Sequence, residues 1–166
     1  MSVSTLLLPE LVQELKVTRT LLERVPIKPD FLPHPKSMAL GKLAAHVAQL
    51  PDFGMTVVTM PELDFLTAKF TPLPFESPEQ LIGALEEGGA RLQAAVKNVS
   101  DAGWSESWRL AMGEKTIFQG ERFLAYREMF LNHLVHHRAQ LGVYLRMNDV
   151  PLPSTYGPSA DDRMGF

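Results

Sequence analysis

The chain has 166 residues, a formal net charge of −3 and no cysteine. That length suits one domain with its own core, expected to span residues 1–166, and 45% hydrophobic with 21% charged residues is ordinary for a folded domain in water. The charge balance offers no basic footprint for nucleic acid, no apolar run approaches the roughly 20 residues that cross a bilayer, and the missing cysteines remove disulfides, thiolate-held zinc and a cysteine nucleophile together.

Near the start, three leucines precede Pro9 without a basic region before them, so no signal peptide is expected and a cytoplasmic location is. A first helix is predicted over about residues 9–23, where Leu8, Leu11, Leu15, Thr18 and Leu22 recur by threes and fours as one apolar stripe. Pro26, Pro29, Pro33 and Pro35 then forbid its continuation. A second helix is predicted from Lys36 or Ser37 to just before Pro51, with Ala39, Leu43, His46 and Leu50 inward. A shorter helical piece follows over 53–59, and then an irregular connection over 61–74. The third helix has the clearest start: Ser77 caps, Pro78 suits the first position, and Gln80 stands three residues after the cap. Leu81, Leu85, Leu92, Val96 and Val99 form its stripe, and Gly88-Gly89 within it reads as a kink or a close helix contact rather than a functional hinge. Within 104–119, alternation at Trp108 to Met112, a turn at Gly113-Glu114-Lys115 and a return through Thr116-Ile117-Phe118 predict a short β-hairpin. A last helix follows over about 121–146, and the Pro-, Gly- and Ser-rich tail from Asn148 is expected to lie over the helices. The fold class expected is all-α, a four-helix bundle with a short hairpin before the last helix.

Three of the five histidines fall within His133-Leu134-Val135-His136-His137. With about 100° per residue and His133 at zero, Phe123, Phe130, Leu134, Leu141 and Leu145 fall between roughly 60° and 120°, so the apolar direction of this helix is near 80°. His137 then falls near 40°, His133 on the border of the apolar sector and His136 near 300°. His133 and His137 should therefore face inward together, one turn apart, and His136 outward. On the second helix His46 shares the inner stripe with Leu43 and Leu50. An inward histidine needs partners for its nitrogens. Spacing alone leaves two readings open: a His46–His133–His137 metal triad, or hydrogen-bonded core histidines. His136 is the rival ligand through its i, i+3 relation to His133, and His34, between two prolines, reads as a surface residue.

Other motifs carry less. Glu86-Glu87 and Asp161-Asp162 read as solvated charge, and Met112-Gly113-Glu114-Lys115-Thr116 lacks the full spacing of a phosphate loop. Arg138 and the Tyr156 to Ser159 segment are expected to hold the tail to the bundle. Gln49 and Met129, each about a turn from a candidate ligand, are expected to line the approach to a metal.

The run from His133 to Tyr144, followed by Val150-Pro151-Leu152-Pro153-Ser154-Thr155-Tyr156-Gly157 and Asp161, resembles the C-terminal signature of DinB-like (DinB/YfiT) proteins, and Gly41 to Val47 resembles the stretch around that family's single histidine on the second helix. The usual motif has Gly where this chain has Ala139, which keeps the helix surface small. The resemblance implies a four-helix bundle, a homodimer, and a divalent metal, zinc or nickel, on His46, His133 and His137. It also implies a small-molecule substrate and, from some relatives, a thiol S-transferase with a low-molecular-weight thiol such as bacillithiol or mycothiol as co-substrate; one related branch is a maleylpyruvate isomerase. Hydrolysis is the competing use of such a centre. The alternative is a non-catalytic, metal-binding or stress-related dimeric bundle.

Overall fold

The computed structural model describes residues 1–164. Helix α1 (Val3–Leu22) starts six residues before the predicted position, because the Ser2 hydroxyl accepts the Thr5 N–H and opens the helix there. Pro9 lies inside it. Helix α2 (Leu40–Thr59) also runs through a proline, Pro51, so the two pieces expected there are one helix. A proline inside a helix costs about 3 kcal/mol. Continuous burial of Leu43, Val47, Leu50, Val57 and Val58 along α2 outweighs that cost. The first turn of α2 has no side-chain cap; the carbonyls of Phe31 and Pro29 accept the Leu40 and Gly41 N–H groups instead. This brings Pro29 so close that a Cβ on Gly41 would lie 2.8 Å from the Pro29 Cβ.

Helix α3 (Pro78–Lys97) begins as the sequence predicts, with Ser77 Oγ accepting the Gln80 N–H and the Gln80 side chain accepting the Glu76 N–H. It passes through Gly88 and Gly89 unbroken. A Cβ on Gly89 would sit 2.8 Å from Leu15, so the missing side chain is what lets α1 and α3 approach. The short helix α4 (Asp101–Ser105) follows, and its buried Trp104 donates to Ser4 Oγ at 2.9 Å.

The all-α expectation is corrected to a mostly helical molecule with a small mixed sheet. Strands β2 (Ser107–Met112) and β3 (Lys115–Glu121) pair antiparallel, and β1 (Glu62–Asp64), within the stretch expected to be irregular, adds in parallel on the far side of β2. Three residues of β1 were too few to show a period of two, and the pairing is long-range. Asp64 fixes the corner: its carboxylate accepts the N–H groups of Leu66 and Gly113 at 2.9 Å each, and Gly113 turns the chain at φ 60°.

The last helical stretch comprises α5 (Arg122–Ala125), a π-helical turn (Tyr126–Leu131) and α6 (Asn132–Met147). The wider turn holds one residue more than an α turn would and shifts the helical phase before His133. Phe123, expected on the buried stripe, is consequently only half-buried, while Arg122 faces inward. Helices α1, α2, α3 and α6 share one core, which includes Leu11, Leu43, Leu85, Leu92, Phe130 and Leu141. The tail docks on α1 and α6: Arg138, 3% exposed, pairs with Glu14 at 2.7 Å and reaches Thr18 and Tyr156, and Tyr156 donates to Glu14 at 2.7 Å. Among the described residues no helix is long and apolar enough to cross a membrane.

Candidate metal centre

Two elements bring three imidazoles together. His46 stands in the middle of α2, flanked by buried Ala45 and Val47; His133 and His137 lie one turn apart on α6. The ligand-capable nitrogens of the three lie within 4.8 Å of one another. His46 Nε2 is 3.2 Å from His133 Nε2, and the His137 ring centroid is 4.6 Å from each of the other two. All three are half-buried, whereas His136 is exposed, as the helical angles predict, and His34 is exposed in its loop. The π-helical turn ends two residues before His133 and so helps set the angle at which that ring leaves the helix.

The second nitrogen of His137 is also engaged. His137 Nδ1 is 2.7 Å from Gln140 Oε1, an i, i+3 contact that fixes the ring and leaves Nε2 for another partner. The Met129 backbone, one turn earlier, favours the protonated form of His133. Burial, together with His137 and His133, pushes His46 down from 6.5 to about 4. His133 is lowered by burial and by His137, against the opposing effect of the Met129 backbone, and His137 is lowered by burial, against the Gln140 contact. All three are therefore neutral near pH 7, the state in which imidazole nitrogen offers a lone pair.

These residues fit a divalent cation. Two nitrogens bound tetrahedrally at about 2.0–2.1 Å stand about 3.3–3.4 Å apart, close to the observed 3.2 Å. Three imidazoles form a donor set suited to zinc or nickel. Among the described residues no carboxylate joins the cluster, which leaves coordination positions open.

A cavity of about 520 Å³ adjoins the cluster, with His46 and His133 in its wall. Gln49 also lines it, but its amide is used to hold the chain: it donates to the Thr71 carbonyl at 3.1 Å and accepts the Leu73 N–H at 2.7 Å. Met129 is half-buried, packs against the core and contributes its backbone to His133; it is not among the residues that line this cavity. Sequence reasoning missed Phe53, Phe65 and Phe70 in the cavity wall. Phe53 follows His46 by two turns on α2 and was within reach of a helical count. The other two sit in a loop, where no periodicity exists to place them.

No protein-family model matches the chain, and no curated protein matches it. Among solved structures it is similar to a DinB-like protein from Bacillus cereus ATCC 10987, at 16% identity and a TM-score of 0.71, over 93% of this chain and 98% of that one. It is similar also to a DinB-like protein from Bacillus subtilis, at 16% identity and a TM-score of 0.65, over 95% of this chain and 98% of that one. With nearly the whole of both chains superposed, this chain has the fold of DinB-like proteins.

Proposed function

We propose that the protein is a divalent-metal-dependent enzyme acting on a small electrophilic molecule, by transfer of a low-molecular-weight thiol or by hydrolysis. One observation carries this reading: three neutral imidazoles from two helices converge beside a cavity large enough for a small molecule. His46, His133 and His137 would hold the ion, with zinc or nickel best matched to the donors. Bound there, a divalent ion supplies Lewis-acid chemistry and lowers the pKa of an incoming thiol or water.

The chain's own residues supply the rest. Gln140 holds the His137 ring in place. Phe53, whose ring centroid lies 6.2 Å from that of His133, limits water on that side. With no cysteine in the chain, a thiol nucleophile must come from solution. The homodimer and the cytoplasmic location implied by the resemblance belong to this reading, and sedimentation of the purified protein tests the first.

The test is a screen of thiol consumption and ester hydrolysis against small electrophiles, with protein as purified, after chelation, and after reloading with zinc or nickel. Turnover that chelation removes and reloading restores is the expected result; turnover indifferent to chelation contradicts the proposal. One observation favours a second reading, a non-catalytic bundle with a polar histidine network: 3.2 Å is also a hydrogen-bond distance between the Nε2 atoms of His46 and His133. That reading requires an unchanged melting temperature with chelator and no turnover.

A further inference from the structure

The cavity beside the histidines has two walls of different origin. Helix α2 presents His46, Gln49, Phe53 and Thr56 along one face, at i, i+3, i+7 and i+10. The facing wall is the chain between β1 and α3, which brings Phe65, Lys69 and Phe70. That chain is held at both ends. The Gln49 amide grips the backbone at Thr71 and Leu73, and the Asp64 carbonyl accepts the Ala68 N–H at 2.8 Å.

Two properties of this space select a ligand. The first is apolar area without a protein partner: Phe65 and Phe70 line the cavity and are still 50% and 63% exposed. Rings that face a concave space are suited to a flat molecule entering between them. The second is charge. Asp52 and Lys69 are the charged residues in the wall. Asp52 is already paired with Arg91 at 2.8 Å. Lys69 has no ion-pair partner among the described residues. The uncompensated charge is therefore positive, which attracts an anion and disfavours a cation of the same shape.

We propose that this cavity binds a small molecule with a flat apolar or aromatic body and one anionic group, the body against Phe53, Phe65 and Phe70 and the anion at Lys69. Which end of that molecule reacts rests on the reading of the histidines as a catalytic metal centre; the binding preference does not.

The experiment compares phenylmethanesulfonate with benzylamine, which share a ring and a one-carbon arm but differ in charge. Both are titrated into the full-length protein by ligand-observed NMR. The sulfonate should bind about tenfold tighter, the order expected when a single exposed attraction becomes a repulsion. Lys69→Gln should remove most of that ratio, and Phe70→Ser should weaken both ligands. The ratio should persist after the protein is treated with chelator. Absence of binding, equal binding of the two, or a ratio that survives Lys69→Gln overturns the proposal. So does a ratio that chelation abolishes, because the anion is then held by the ion. A dimer that Phe70→Ser dissociates also overturns it, since a second chain then covers the rings. Metal content measured on each sample keeps failure of the metal reading separate: protein that never holds an ion but keeps the ratio sinks the metal centre and leaves this proposal standing.

Discussion

His46 is the residue in which burial and charge act most directly on one proton. In the metal-free protein its pKa is lowered from 6.5 to about 4. Between those values the unfolded chain binds a proton at this position that the folded chain does not, so stability rises with pH through that window. The contribution is fully present above pH 6.5 and is lost as pH falls toward 4. Melting temperatures of chelated protein should therefore drop from pH 7 to pH 4, and His46→Gln should flatten the drop; an equally steep drop in the variant contradicts the assignment. Metal loading should weaken over the same range, because protons compete for the same lone pairs. These residues were legible from sequence because helical geometry maps spacing onto direction: two inward histidines at i, i+4 and a third on another inner stripe. Lys69, Phe65 and Phe70 were not, since a loop has no period to read and only the long-range pairing of β1 with β2 places them.

Arg122 is the hinge between elements that the sequence reading passed over. It is 6% exposed, and its guanidinium donates to the carbonyls of Val57, Val58 and Met60 at the end of α2, to that of Gly103 within α4, and to the Glu106 carboxylate before β2. The last carbonyls of a helix have no partner within it, and here one side chain satisfies two of them together with the carbonyl of the C-cap Met60. Arg122→Met should cost about 1–3 kcal/mol, since it strands buried acceptors, and should raise amide exchange at the C-terminal turn of α2. A change within a few tenths of a kcal/mol would show that water replaces the arginine without penalty. The sequence hid this role because its helical count assumed an α-helix throughout 121–146, whereas the π-helical turn shifts the phase and exchanges Phe123 for Arg122 on the buried side. Continuation of α2 through Pro51 was hidden for a related reason. Local propensity opposes it, and only packing against the rest of the core makes it favourable.

At the scale of the whole molecule, the tail closes the fold by returning to α1 and α6. Glu14, Arg138 and Tyr156 come from three distant parts of the chain and meet where the buried Glu14–Arg138 pair is capped by the exposed Tyr156. Removing one partner of such a pair leaves the other charge without compensation, so Arg138→Met should destabilise by about 3–5 kcal/mol. Tyr156→Phe, which keeps the ring and both charges, should cost about 1 kcal/mol. Equal losses in the two variants, measured by denaturant unfolding, would place the stabilisation in the hydrogen bonds of the tyrosine hydroxyl rather than in the ion pair. On the proposed function, the assembled helices hold one ion on three histidines. Elemental analysis of untagged protein tests it most directly, alongside His46→Ala, His133→Ala, His137→Ala and His136→Ala. Close to one divalent ion per chain is expected in the wild type and in His136→Ala, and its loss from the other three. Stoichiometric metal in those three variants, or none in the wild type after growth with zinc and nickel supplied, would contradict it.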